Sequence, residues 1–190
     1  MPKIKLWLLL PLAIVALLIG LFAWPKQNTR IESTDKELTI VTSFYPLYFF
    51  TSEIAGEYAN VYNVTPAGAE PHEYEPTIKD TITIENSDLI ILNGLLEPWA
   101  NKIIADLEAK QTPVIKVTAG LSLNDFTDED GEKIKDQHVW LSPRLAQDSV
   151  TKITAALVKI DQEHAAEYEA RASDLKEKLA ALEDKFKNGL

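Results

Sequence analysis

Short apolar runs rich in β-branched residues alternate with segments of helical pattern, and this alternation limits the fold more than any other feature of the chain. The runs occupy residues 38–42, 61–65, 89–92 and 114–117. Strands and helices that alternate in units of this length are typical of a parallel sheet with right-handed crossover connections. The sequence therefore predicts an α/β lobe over residues 38–150.

Local signals mark the ends of the first helices. Pro46 in a first turn and Gly56 as a stop predict a helix between them. Thr77 followed by Asp80 predicts the cap of a second helix. The alternation of threonine and isoleucine over residues 81–84 is nevertheless typical of a strand, so the two signals disagree there.

The region after the third strand combines two helices with a long irregular segment. Residues 97–110 predict a helix, and Ser142-Pro143 predicts the start of another, with serine as its cap and proline in its first position. Residues 121–137 are acidic and lack periodicity. We expect a loop there that is long enough to be functional or mobile.

Residues 151–190 carry an apolar stripe at helical spacing. Its members recur at steps of three and four and are Tyr168, Ala172, Leu175, Leu179, Leu182 and Phe186. The stripe predicts one long amphipathic helix, restarted or kinked at Asp161, that packs against the lobe or against another molecule. A short coiled coil is the alternative.

Residues 1–24 begin with Lys3 and Lys5 and continue as an apolar run to Trp24. This pattern is typical of a signal peptide, and the run is also long enough to cross a bilayer. Because the residues before Trp24 make a poor cleavage site, we expect an uncleaved membrane anchor rather than a cleaved signal. Residues 25–37 then form a spacer, and the rest of the chain lies outside the cytoplasm, membrane-anchored or secreted, at the cell surface or in the periplasm.

The composition restricts the chemistry of the chain. It has no cysteine, which excludes disulfides, a lipid-modified cysteine and thiolate metal sites. Its formal net charge of -10 argues against nucleic acid as a partner, because phosphates select basic surfaces. The same charge is compatible with cation handling, and equally with solubility alone.

Two of the three histidines are candidate metal ligands. His72 follows the second predicted strand and His138 the fourth, and the loops that follow parallel strands meet at one edge of a sheet. Flanking prolines restrict the His72 loop. A single loop histidine is more often an ordinary surface residue, so the prediction depends on the pair. For His164, in the final helix, we expect a structural or exposed position without a partner.

Four acidic residues lie near the two histidines in the sequence: Glu70, Glu73, Glu75 and Asp136. Each could complete a coordination sphere or accept a hydrogen bond from the second ring nitrogen of a ligating histidine. The sequence leaves these alternatives open.

Three segments carry a resemblance to a known family. They are residues 68–76 (GAEPHEYEP), 93–99 (NGLLEPW) and 136–143 (DQHVWLSP). In this order and spacing they resemble the signatures of the zinc-type, cluster A-I solute-binding proteins of ABC transporters. The resemblance covers about residues 38–188. It implies the N-terminal lobe of such a protein, with a four-stranded parallel sheet flanked by helices, followed by a long helix that links it to a second lobe.

The resemblance also implies a function. His72 and His138 would ligate zinc, with manganese less favoured, because the segment after His138 looks like the zinc-type members and nitrogen ligands suit zinc. The protein would capture the ion outside the cytoplasm and deliver it to an ABC permease, which is a binding role and not catalysis.

Two departures from the family pattern qualify this expectation. The sequence ends where the second lobe should begin, so we expect an incomplete copy with half a metal site, because zinc normally takes three or more protein ligands. A second lobe or a helix partner would then come from another molecule. The loop before His138 is acidic and lacks the histidines that many zinc members carry there.

Two other functions are compatible with the sequence. A membrane-anchored interaction or scaffold protein would use the stripe of its C-terminal helix to pair with a partner. A zinc hydrolase is disfavoured, because no His-Glu-x-x-His helix, third ligand or nucleophile accompanies the two histidines.

Overall fold

Four parallel strands form the central sheet. The computed structural model describes residues 37–127 and 131–189. In it the strands are β1 (Leu38–Thr42), β2 (Ala59–Asn63), β3 (Leu89–Leu92) and β4 (Val114–Lys116). Their spatial order is β2-β1-β3-β4, and each neighbouring pair is parallel. The predicted α/β fold with a four-stranded parallel sheet is confirmed, although β2 begins two residues before the predicted run because Ala59 pairs with Leu38.

Five helices connect and cover the strands in the described chain. They are α1 (Tyr45–Ala55), α2 (Ile78–Glu85), α3 (Ala100–Ala109), α4 (Pro143–Ile160) and α5 (Ala165–Lys187). The signals read from the sequence mark their ends: Gly56 follows α1 with a φ of 58°, and Thr77 and Asp80 form a reciprocal capping box at the start of α2. The helix therefore includes residues 81–84, where the local alternation is strand-like.

Two apolar layers hold these helices against the two faces of the sheet. Ile40 and Ile91 belong to the layer that contains buried residues of α1, α4 and α5. Val41 and Ile90 belong to the opposite layer, which contains buried residues of α2 and α3. All four residues of β3 are buried, as expected for a strand that is covered on both faces.

A small hairpin lies in the segment predicted to be an irregular loop. β5 (Asp125–Thr127) and β6 (Lys133–Lys135) pair in antiparallel fashion. Lys135 Nζ contacts Asp125 Oδ1 at 2.8 Å across the pair. Strands of three residues are too short for a period-two pattern to be recognised, which is why the sequence carries no clear sign of them. Residues 128–130 lie outside the described residues.

The C-terminal part of the described chain forms the two helices α4 and α5. The expected boundary between residues 150 and 151 falls inside α4, because Val150, Ile153 and Leu157 are fully buried in the same apolar layer as the sheet. The chain then breaks at Asp161, where a restart or kink is predicted, and α4 and α5 lie on either side of the break.

The first half of α5 packs against the lobe. Tyr168, Ala172 and Leu175 of the predicted stripe are buried there. At the other end of the stripe, Leu182 and Phe186 are 40% and 55% exposed. The stripe is therefore divided into a part that stabilises the lobe and a part that remains at the surface.

The predicted membrane segment, residues 1–24, and residues 25–36 of the spacer lie outside the described residues. Among residues 37–127 and 131–189, no helix combines the length and the apolar composition needed to cross a membrane.

The carboxylate of Asp161 holds the break between α4 and α5. It accepts hydrogen bonds from the hydroxyl of Tyr168 at 2.5 Å and from Nδ1 of His164 at 2.8 Å. The His164 ring stacks on Tyr58, with centroids 4.0 Å apart. His164 is thus a structural residue, as predicted, but the expectation that it has no partner is wrong because its partners come from a helix break and a distant turn.

The hydrogen bonds around Asp161 change the ionisation of both residues. Burial raises the pKa of Asp161, but the bonds from Tyr168 and His164 outweigh it, so the pKa is lowered overall. The hydrogen bond to Asp161 raises the pKa of His164. The pair is therefore favoured in its charged form when the protein is folded.

The substitution His164→Phe tests this pair, because phenylalanine keeps a ring on Tyr58 and removes the bond to Asp161. A histidine pKa that is raised on folding stabilises the protein below the unfolded value of about 6.5, and this contribution is lost as pH rises through the folded value. We expect H164F to lower the free energy of unfolding by about 1–2 kcal/mol at about pH 5.5 and by less at about pH 8.5. Urea unfolding of the full chain in detergent measures the free energy of unfolding at both pH values. An equal decrease at the two values would contradict a bond between charged His164 and Asp161.

Candidate metal centre

The carboxyl edge of the sheet carries both predicted ligands. His72 lies in the loop between β2 and α2, and His138 lies between β6 and α4, in the connection that follows β4. Their ring centroids are 5.8 Å apart and their planes are inclined by 48°. The structure therefore brings together two histidines that are far apart in the sequence.

The spacing of the two rings suits a shared ion. Zinc lies about 2.0–2.1 Å from a ligating imidazole nitrogen, so two rings on one tetrahedral ion have centroids about 5 Å apart. The observed 5.8 Å is within a small side-chain adjustment of that value. The side chains of His72 and His138 are 40% and 31% exposed, so an ion in solution can reach them.

Asp136 and Trp140 orient His138. The carboxylate of Asp136 accepts the backbone N–H of His138 at 3.0 Å and lies 2.9 Å from its Nδ1. These bonds from the backbone and ring of His138 lower the pKa of Asp136. When Nδ1–H donates to this carboxylate, the lone pair of the neutral ring is on Nε2, which is the usual arrangement of a metal-binding histidine.

Aromatic contacts also support the His138 ring. Trp140 lies with its ring centroid 5.2 Å from that of His138 and 4.6 Å from that of Phe44. Phe44 is buried just beyond the end of β1. Trp140 and Phe44 thus connect His138 to the end of β1 through edge-on and tilted ring contacts, in agreement with the apolar neighbours of this histidine in the sequence.

A buried carboxylate holds the loop of His72. Asp80 is 5% exposed and accepts hydrogen bonds from the hydroxyls of Tyr62 at 2.7 Å, Tyr74 at 2.9 Å and Thr77 at 2.7 Å. Because Tyr74 is two residues after His72, these bonds tie the loop to β2 and to the start of α2. The sequence identifies Asp80 as a helix cap but carries no local signal for its tyrosine partners.

The ionisation of this cluster follows from the same contacts. Burial raises the pKa of Asp80, but the hydrogen bonds from Tyr62, Thr77 and Tyr74 lower it by more, so the net shift is downward. The hydrogen bond to Asp80 raises the pKa of Tyr62 to about 12. The carboxylate therefore stays ionised and the tyrosine stays neutral around neutral pH.

Asn93 joins the His138 loop to the sheet. It is fully buried after β3, and its Nδ2 donates to the backbone carbonyl of Gln137 at 2.9 Å. The two carboxylate oxygens of Glu97 accept the backbone N–H groups of Asn93 and Gly94, at 2.7 and 2.8 Å. Gly94 has a φ of 100°, and a Cβ there would lie 2.7 Å from Cβ of Lys116. Asn93 and the residues around it thus support the loop of His138.

Gln137 connects the two histidine loops directly. The nitrogen of its side-chain amide lies 3.1 Å from Nδ1 of His72, across 65 residues of sequence. The sequence does not single out this residue, because no local pattern marks a side chain that contacts a distant loop.

The three glutamates near His72 lie in different environments. Glu70 accepts the backbone N–H of His72 at 3.3 Å and lies 4.0 Å from its Nε2. Glu75 forms an ion pair with Lys102 at 3.5 Å, and Glu73 is exposed. Glu70 is therefore placed beside the ring of His72.

Over residues 37–127 and 131–189, no three side chains among histidine, aspartate and glutamate gather closely enough to hold a metal ion. In the described part of the chain, His72 and His138 therefore remain a pair of candidate ligands.

Comparison with known proteins identifies the family. The family model for ZnuA, the periplasmic component A of zinc-uptake complexes, matches residues 40–190. The chain belongs to the ZnuA family. The family predicted from the three sequence segments is thus confirmed.

Relatives of this ZnuA-family chain differ in the metal that they are named for. This chain is 35% identical over 188 residues to the zinc-binding lipoprotein AdcA of Streptococcus pneumoniae, and the match covers 93% of this chain and 37% of the relative. It is 35% identical over 153 residues to the iron-binding protein YfeA of Yersinia pestis, covering 80% of this chain and 49% of the relative. The chain therefore spans between a third and a half of these proteins.

A solved structure confirms the fold. The Zn(II)-bound ZnuA-like domain of Streptococcus pneumoniae AdcA matches this ZnuA-family chain with a TM-score of 0.72 and 37% sequence identity. The match covers 81% of this chain and 56% of that domain.

The substitution Tyr74→Phe tests how the His72 loop is held in this ZnuA-family lobe. It removes one hydrogen bond to the ionised Asp80, and we expect it to lower the free energy of unfolding by about 1.5–3 kcal/mol. Hydrogen exchange over residues 70–76 should also become faster, because the loop loses its contact with α2.

Tyr62→Phe is the matched control. It removes an equivalent bond to Asp80 from β2 and leaves the contact of Tyr74 in place. We expect a similar loss of stability without faster exchange over residues 70–76. An equal increase of hydrogen exchange over residues 70–76 in both variants would contradict a specific role of Tyr74 in holding this loop.

Proposed function

We propose that this ZnuA-family lobe captures zinc outside the cytoplasm with His72 and His138, for delivery to an ABC permease. The observation that carries the proposal is the distance of 5.8 Å between the two ring centroids at the carboxyl edge of the sheet. The carboxylate of Asp136 beside Nδ1 of His138 adds support, because it favours a lone pair on Nε2.

The ligand type favours zinc over manganese. Imidazole nitrogen suits zinc, whereas manganese is better matched by carboxylates, carbonyls and water. A zinc-binding lipoprotein and a Zn(II)-bound domain among the relatives point the same way. We therefore assign zinc as the ion carried by the protein and manganese as a weaker alternative.

Two imidazoles alone hold zinc weakly, because structural and catalytic zinc sites use three or four protein ligands. We propose that the remaining ligands come from a second lobe, as the greater length of the relatives suggests. The open edge around His72 and His138 would then be one wall of the complete site.

The proposed role is binding and delivery and not catalysis. The family description places such proteins in the periplasm, which agrees with residues 1–24 serving as a signal peptide or membrane anchor and residues 25–37 as a spacer. The lobe would then be held near the membrane that contains the permease.

Zinc titration of the full chain in detergent against a chromophoric chelator tests the two ligands. We expect His72→Ala and His138→Ala each to weaken zinc binding by roughly tenfold or more, because each removes one of two protein ligands. H164F is the control, since the ring of His164 is held by Asp161 and Tyr58. Superimposable curves for wild type, H72A and H138A would rule out this site.

Thermal unfolding tests the choice of metal. A ligand that binds only the folded protein, at a free concentration of about 100 times its Kd, stabilises that protein by about 2.7 kcal/mol. At equal concentrations we expect zinc to raise the Tm of the full chain in detergent by more than manganese does. An equal or larger effect of manganese would contradict the assignment of zinc.

A further inference from the structure

The amide of Gln137 lies at the point where the two histidine loops meet. We propose that Gln137 is a positioning residue, whose side-chain amide holds the His72 ring and determines which ring nitrogen carries the proton. This inference rests on the proposed function, because it concerns how His72 is presented to zinc. The observation behind it is the 3.1 Å contact between the amide nitrogen of Gln137 and Nδ1 of His72.

The contact determines which nitrogen of His72 faces an ion. Gln137 occupies the Nδ1 side of the ring, so zinc would be bound through Nε2. A neutral histidine has its lone pair on Nε2 only when the proton is on Nδ1. The partner of Nδ1 therefore has to accept a hydrogen bond in the zinc-bound state.

A glutamine amide can be either the donor or the acceptor of such a hydrogen bond. Its NH2 group donates and its carbonyl oxygen accepts, and a half-turn of the amide exchanges the two. With NH2 facing Nδ1, as in the structure, the His72 proton is on Nε2. With the carbonyl facing Nδ1, the proton is on Nδ1 and Nε2 can bind zinc. Gln137 then accepts a hydrogen bond from Nδ1 of His72, as Asp136 does from Nδ1 of His138.

The backbone of Gln137 is fixed independently of its side chain. Its carbonyl accepts hydrogen bonds from Nδ2 of Asn93 and from the backbone N–H of Val139, both at 2.9 Å. Removing the amide alone therefore leaves these two bonds in place. The expected effect is confined to His72, while the loop of His138 keeps its supports.

The substitution Gln137→Leu tests the proposal in the full chain in detergent, because leucine has similar size and no polar group. We expect Q137L to weaken zinc binding by about tenfold, the lower end of the effect of losing a partner of a ligating histidine. Nitrogen-15 NMR of the zinc-bound chain should show faster exchange of the His72 Nδ1 proton with water. The His138 ring signals should be unchanged.

Two further variants separate a specific role from a general one. Gln137→Glu should restore both zinc binding and the protected Nδ1 proton, because a carboxylate accepts the same hydrogen bond. Gln147→Leu is the matched control, since the amide of Gln147 bonds the carbonyl of Pro143 within α4. We expect it to leave zinc binding unchanged.

The outcomes separate this inference from the proposed function. If H72A weakens zinc binding while Q137L changes neither the affinity nor the His72 signals, the positioning role is overturned and the proposed function stands. Altered His138 signals in Q137L, or no restoration by Q137E, would also overturn it, because the residue would then act through the loop as a whole. If H72A has no effect, both proposals fail.

Discussion

Asn93 is fully buried after β3, and all of its polar groups are bonded. Its backbone N–H donates to Glu97 and its carbonyl accepts from the backbone and hydroxyl of Thr118. Its side chain accepts from Leu95 and donates to the carbonyl of Gln137. A buried amide without these partners would lower the free energy of unfolding, so the folded protein requires all of these hydrogen bonds together. The loops after β3 and β4 and the loop of His138 are thereby fixed to one point at the edge of the sheet.

Much of the fold is encoded in short stretches of sequence and could be predicted from them. The alternation of strands and helices specifies the parallel sheet, and the capping pair Thr77 and Asp80 fixes the start of α2 against a strand-like pattern. The approach of His72 and His138 was also predictable, because parallel strands direct their following loops to the same edge. These features need only local propensity and a topological rule.

Other features depend on contacts between distant segments and carry no local signal. The burial of Val150 of α4 in the shared core, for example, is a tertiary effect. The stack of His164 on Tyr58 joins a helix break to a turn far earlier in the chain. The contact of Gln137 with His72 likewise depends on two loops that meet only in the folded protein. Sequence patterns therefore locate the candidate ligands but not the residues that orient them.

Zinc K-edge X-ray absorption of the zinc-loaded full chain tests most directly whether His72 and His138 share one ion. A bound histidine gives a nitrogen at about 2.0–2.1 Å together with scattering from the outer atoms of its ring. The proposed site predicts the scattering of two imidazoles in the wild type and of one in either H72A or H138A. A spectrum with oxygen neighbours and no imidazole scattering would contradict it.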